Sequence, residues 1–160
     1  MSYAIVYSSR TGNTAQLAQA IKEALPQEDC LYFGQPDAKA LAAQTIYVGF
    51  WTDKGTCDEP TAEFLKTLTN QKVFLFGTAG FGGSSAYFEQ ILDRVQQNLG
   101  QEVEVVGRYM CQGKMPQAVR DRYASMEDSP RRTSMLENFD KALSHPDEQD
   151  LKQLKEKVRP

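Results

Sequence analysis

The sequence predicts a doubly wound α/β fold, in one domain spanning residues 1–160. Three observations point there. Over the first 110 residues, short apolar runs alternate with amphipathic segments, the pattern of βαβ units and a parallel sheet. The run Val73-Phe74-Leu75-Phe76 is apolar on both faces, as a sheet covered on both sides requires. The chain has 160 residues, 41% hydrophobic and 24% charged, enough for one buried core. Right-handed crossovers then restrict the topology to doubly wound arrangements.

Ala4-Ile5-Val6-Tyr7 reads as the first buried strand. A helix follows over about 14–25, with Leu17, Ala18, Ile21 and Leu25 on one face. Residues 30–33 form a shorter second strand and 45–50 the third. A loop is expected over 51–59, and Pro60 suits the first turn of a helix over 61–69. Residues 72–77 give a fourth strand. The next helix, about 85–99, carries Phe88, Ile91, Leu92, Val95 and Leu99 at helical spacing, and Gly100 is expected to cap it. Residues 102–110 give the fifth strand. Beyond it, Val119/Tyr123/Met126, Leu136/Phe139/Leu143 and Leu151/Leu154/Val158 mark three short helices, with a polar break at Glu127–Pro130. They are expected to pack on the sheet as an elaborated final connection.

Charge and cysteine usage exclude several classes. The net charge is -3, made of 7 basic and 10 acidic residues over 1–100 and 11 of each over 101–160. This is not the basic footprint of a nucleic-acid binder. No apolar run approaches the ~20 residues of a membrane helix, and residues 1–10 lack the features of a signal peptide. Cys30, Cys57 and Cys111 are too few and too widely spaced for a zinc site or disulfide framework, which fits a reducing cytosol. His145 is the only histidine, which argues against a His-based metal site or a Ser-His-Asp triad.

The strongest local signal is residues 5–14, IVYSSRTGNT. A buried strand ends in a small, hydroxyl-rich loop and a helix begins at once. Unpaired N–H groups and the macrodipole at a helix N-terminus favour an anion. Ser9, Thr11 and Thr14 offer hydroxyls, Asn13 an amide, and Gly12 a close backbone approach. A phosphate is the natural ligand; a plain helix cap on an ordinary turn is the alternative. GxxxxGK[ST] and GxGxxG are both missing, and no Cys lies in the loop, so a P-loop, a dinucleotide fingerprint and a Cys-based phosphatase are excluded.

Ile5 to Ile21 resembles the flavodoxin phosphate-loop signature, including Ala18 and Ile21 at its small and aliphatic helix positions. The resemblance implies a five-stranded sheet of order 2-1-3-4-5. It also implies FMN as cofactor, with Ser9, Arg10, Thr11, Gly12, Asn13 and Thr14 around its phosphate. In such a sheet the ligand sits beyond the C-terminal strand ends, at the β1/β3 switch point. The loops after the third and fourth strands would then hold the isoalloxazine ring. Trp51 and Phe81 fit the ring-stacking aromatics, while Tyr87 reads as packing. Thr52, Thr78, Ala79, Gly80 and Gly82 fit further contacts, the glycines letting backbone amides approach the ring. A backbone group near Thr52–Gly55 is expected to bond flavin N5. Asp53, Asp58 and Glu59 against Lys54 would put negative charge by the ring and lower its potential. Cys111 falls on the cofactor side and is read as a buried apolar residue, and Cys57 beside Asp58 and Glu59 as a poor nucleophile.

The segments FWTDKGTCDEP, GTAGFGG, CQGKMP and ALSHPDEQDL resemble a subgroup of flavodoxin-like proteins in anaerobic gut bacteria, one group of which accompanies bilirubin reductase. The expected function is a monomeric electron carrier between a reductase and an acceptor enzyme. An FMN-dependent NAD(P)H:quinone oxidoreductase and a cofactor-free interaction module are the alternatives.

Overall fold

The structure, a computed structural model, describes residues 1–81 and 84–159. In chain order its elements begin β1 (Tyr3–Tyr7), α1 (Asn13–Ala24), β2 (Cys30–Gly34), β3 (Thr45–Asp53), β4 (Thr56–Cys57) and α2 (Glu59–Leu65). They continue β5 (Lys72–Ala79), α3 (Ser85–Gln96), β6 (Glu104–Gln112), α4 (Gln117–Ala124), α5 (Pro130–Ala142) and α6 (Glu148–Val158). The parallel strands lie in the order β2-β1-β3-β5-β6. With the two-residue β4 set aside, that is the expected 2-1-3-4-5 sheet.

Alternation along each strand sends side chains to two apolar layers. Val6, Val48, Phe50, Val73 and Leu75 pack beneath Phe64 and Leu65 of α2 and Ile91, Leu92 and Val95 of α3. Ile5, Phe74, Phe76 and Tyr109 face the other way, onto Leu17, Ala18 and Ile21 of α1 and Leu154 and Val158 of α6. Residue size is matched across β3 and β5: Gly49 pairs with Phe76, and Phe50 with Gly77. A Cβ at Gly49 would lie 2.3 Å from the Phe76 ring, and one at Gly77 would lie 2.4 Å from the Phe50 ring. Each phenylalanine therefore covers the glycine of the opposite strand.

Four expectations need correction. The loop over 51–59 is a β-hairpin: β3 continues to Asp53, and β4 pairs back onto Thr52 and Asp53. The two-residue turn works because Lys54 and Gly55 both take positive φ, 53° and 84°. The helix expected over 61–69 starts earlier, behind the Asp58 cap, and ends at Leu65. Gly100 is not a left-handed cap. The helix α3 ends at Gln96 and unwinds through tight turns in which the N–H groups of Gln97, Asn98 and Leu99 donate three residues back. In α5, Phe139 and Ala142 are buried while Leu143 is 51% exposed, because Leu143 is already the C-cap.

The C-terminal helices serve two purposes. The helix α6 packs on α1 and β6; Lys155 pairs with Glu23 at 3.1 Å, and the Tyr109 hydroxyl donates to the Asp150 carbonyl at 2.8 Å. The helices α4 and α5 pack on each other. Residues of α4 close one side of the cleft described next.

Candidate functional site

The loop after β1 builds an anion-receptive helix start. Gly12 is the N-cap of α1 at φ 87°, a conformation that glycine adopts without strain. Ser9 Oγ accepts from the N–H groups of Gly12 at 3.1 Å and Ala15 at 3.3 Å, so two backbone donors converge on one oxygen. The first turn of α1 holds no acidic residue, which leaves the dipole's positive end uncompensated. Asn13 is buried, and its amide donates to the Lys114 carbonyl at 2.8 Å. Asn13 Oδ1 is buried without a hydrogen-bond partner.

Thr14 behaves differently from the expectation of a phosphate donor. It is 1% exposed, its hydroxyl donates to the Phe50 carbonyl at 3.0 Å, and Thr78 Oγ1 lies 3.3 Å away. In this structure that hydroxyl is committed to β3 and β5. It anchors the loop to the sheet.

The hairpin carries the second wall. Trp51 and Thr52 lie on β3 instead of a free loop, which fixes their direction. The Thr52 hydroxyl donates to the Thr78 carbonyl at 2.8 Å, joining the hairpin to β5. Arg94 of α3 donates to the Gly55 carbonyl at 3.0 Å and pins the turn. Asp58 is 1% exposed; it caps α2 through Thr61 and accepts from the Trp51 N–H.

These parts surround a cleft of about 320 Å³ at the C-terminal strand ends. Arg10, Thr11 and Asn13 line it from the first loop, and Trp51 and Thr52 from the hairpin. Thr78, Ala79, Gly80 and Phe81 line it from the end of β5. Ser9, Gly12 and Thr14 are not on its wall; Gly12 faces an adjoining hollow. Gly82 lies outside the described residues. Trp51 is half-buried with the Arg10 guanidinium 5.4 Å from its ring centre. Phe81 is 39% exposed, and its ring lies 6.2 Å from that of Tyr123. Met115 lies over Gly80, where a Cβ would come within 2.4 Å of its side chain.

Several lining residues are absent from the expected set. Tyr87 packs on Phe88 as expected, yet it also lines the cleft. Lys54, Gly55, Gly113, Lys114 and Met115 join it, with Val119, Arg122 and Tyr123 of α4 closing the far side. One signal was available for the 113–116 stretch: it directly follows the last strand, so it must emerge at the same sheet edge.

The side chains lining the cleft carry charge opposite to the expected sign, with Asp53 and Glu59 exposed and off its wall. Asp58 is buried as a helix cap. Among the described residues the lining holds Arg10, Lys54, Lys114 and Arg122 and no carboxylate. The cysteines follow expectation. Cys57 is buried, and its thiol is pushed up to about 11, first by burial and then by Asp58. Cys111 is 4% exposed among Tyr109, Leu154 and Val158, and burial raises its thiol further still.

A five-stranded parallel sheet with its cleft between the β1 loop and the ends of β3 and β5 defines a doubly wound α/β protein with a cleft at its topological switch point. The chain belongs to the flavodoxin-domain family, whose profile matches residues 4–159. It is 42% identical to the flavodoxin-like domain-containing protein BilS of Clostridium symbiosum, over 94% of this chain and 90% of that one. Among solved structures it is similar to a short-chain flavodoxin associated with a non-canonical PDU bacterial microcompartment (17% identity, TM-score 0.54, covering 89% of this chain and 97% of that one). It also resembles a flavoprotein in complex with FMN from Lactobacillus acidophilus (16% identity, TM-score 0.52, covering 68% of this chain and 92% of that one). At these identities the two structures speak for the fold. Among the described residues no helix is long and apolar enough to cross a membrane.

Proposed function

We propose that the chain binds FMN in this cleft and carries electrons between a reductase and an acceptor enzyme. One observation carries the reading. The carboxylate-free start of α1 opens beside the cleft that Trp51 and Phe81 line, so an anion site adjoins an aromatic one. The residues present fit the group. Gly12 at positive φ, a first helical turn with no acidic residue, and the cleft-lining Thr11 and Asn13 suit a phosphate dianion.

Bound FMN would supply one- and two-electron chemistry. The chain's residues hold, orient and tune it. Ser9 to Asn13 would bind the phosphate, and Arg10 would balance its charge. Trp51 and Phe81 would flank the ring, once the Arg10 guanidinium leaves the Trp51 face. The hairpin, held by Asp58 and Arg94, would keep water from one side. The four cations of the lining would favour an anionic reduced ring, raising the potential relative to an acid-lined cleft.

Purification tests this directly. The expected product is yellow and releases FMN, not FAD, on denaturation. It should oxidise NAD(P)H only when a reductase is added. Steady NAD(P)H oxidation by the chain alone would instead mark it as an oxidoreductase. Colourless protein that takes up no added FMN would overturn the reading.

A further inference from the structure

Arg10, Lys54, Lys114 and Arg122 are all exposed at the cleft. They come from four separate places: the loop after β1, the hairpin turn, the loop after β6, and α4. The side-chain ion pairs made by lysine and arginine among the described residues use Lys66, Arg108, Arg120, Arg132 and Lys155 instead. Arg10 and Arg122 are carried on aromatic rings, 5.4 Å from the centre of Trp51 and 5.9 Å from that of Tyr123. Among the described residues, a chain of net charge -3 thus lines one cleft with four cations outside any ion pair and with no carboxylate.

We propose that this rim is the docking surface for a redox protein that presents a carboxylate-rich face. The inference rests on the FMN-carrier reading. A ring system would fill a cleft of about 320 Å³, and with Arg10 turned to the phosphate a second molecule would meet Lys54, Lys114 and Arg122 from outside. Electron transfer needs that molecule at the cleft mouth, where the rim selects its charge. Oppositely charged faces speed encounter and lose that advantage as salt rises. The net negative charge of the chain opposes an acidic partner at long range. Above ~0.1 M salt the Debye length is about 10 Å or less, and the rim dominates.

The test uses one redox protein in two charge states: cytochrome c with its native lysines, and the same protein succinylated to carry carboxylates. Each ferric haem takes one electron from the reduced FMN-loaded chain, so two haems oxidise one flavin and its protons leave to solvent. Between about 0.1 and 0.3 M salt, the succinylated form should react severalfold faster than the native form. Its rate should fall with salt, while the native rate rises. Lys54→Glu combined with Arg122→Glu should invert the order, with FMN content and melting temperature as folding controls. A second readout needs no electron transfer. A carbodiimide joins a carboxylate to an amine as an amide, itself taking up the water as a urea. Peptide mapping should find Lys54 and Lys114 of the wild-type chain coupled to the succinylated protein. Yellow protein that reduces the native form faster, responds alike to both, or couples through lysines elsewhere overturns the docking surface alone. Protein that binds no FMN overturns the carrier reading instead.

Discussion

Trp51 and Asp58 hold each other across the hairpin: the Trp51 N–H donates to the Asp58 carboxylate at 3.3 Å, and the Asp58 N–H donates to the Trp51 carbonyl at 3.2 Å. The same carboxylate caps α2 through the Thr61 N–H and hydroxyl. One buried side chain therefore sets both the direction of the cleft's tryptophan and the start of the next helix.

Asp58→Ala should cost about 3 kcal/mol of stability, the sum of a lost cap and a lost bond to a charged group. It should also weaken FMN, because Trp51 loses its fixed direction. Trp51→Ala should weaken FMN without the stability loss, since the half-buried indole holds no helix in place. Urea unfolding and flavin titration separate the two variants. A larger stability loss in Trp51→Ala than in Asp58→Ala would show that the indole, not the carboxylate, holds the hairpin.

The strands were legible because apolar runs such as residues 72–77 carry their own signal, the sheet order through the family resemblance of residues 5–21, and the β1 loop because strand, glycine and helix cap lie within ten residues. The hairpin was not. Its turn depends on Lys54 adopting φ 53°, which lysine identity does not advertise. Asp58 looked like loop charge because nothing local reveals that Thr61 and Trp51 close over it. The α4 wall was equally hidden: Tyr123 stood out as one residue of an apolar stripe, and only the chain reversal after β6 brings it to Phe81. Charge counted along residues 53–59 pointed the wrong way because three of the four lining cations, Arg10, Lys114 and Arg122, come from distant segments.

Gly77→Ala should destabilise the fold by about 1–3 kcal/mol, the usual cost of overpacking. The new methyl would lie 2.4 Å from the fully buried Phe50 ring, with neighbouring strands on both sides of Gly77 and no direction in which to relax. Combining it with Phe50→Leu should recover part of the loss. Chemical denaturation of the two single variants and the pair gives the coupling. Strict additivity would mean that the ring and the methyl do not compete for one space.

Acid sensitivity should be visible at α6. Asp147 and Asp150 form a reciprocal capping box, and the Asp150 N–H holds the Asp147 carboxyl below its usual value. A lowered folded-state pKa means that the stabilisation is whole above the unfolded value of 3.8 and is lost as pH falls through the folded one. Asp147→Ala should therefore cost about 1 kcal/mol at neutral pH. The gap to wild type should close as the pH drops below about 4. Thermal melts of both proteins from pH 7 to pH 3 measure it, and a gap that persists in acid would exclude the charged cap as its source.

The loop after β1 separates two threonines that the sequence alone treats alike. Thr11 is half-buried and lines the cleft, whereas the Thr14 hydroxyl is bound to the Phe50 carbonyl beside Thr78. Thr11→Val should weaken FMN far more than riboflavin, since it removes a donor that only the phosphate would use. A hydrogen bond to a charged group contributes ~1.5–3 kcal/mol, tenfold or more in affinity. Thr14→Val keeps the shape of the side chain but breaks a link from the loop to β3. It should lower stability by ~1 kcal/mol and weaken FMN and riboflavin by the same factor. Titrating both flavins against both variants decides the matter. A Thr11→Val protein that loses the two ligands equally would place the phosphate elsewhere. A Thr14→Val protein selective against FMN would mean that this hydroxyl leaves Phe50 and turns to the phosphate on binding.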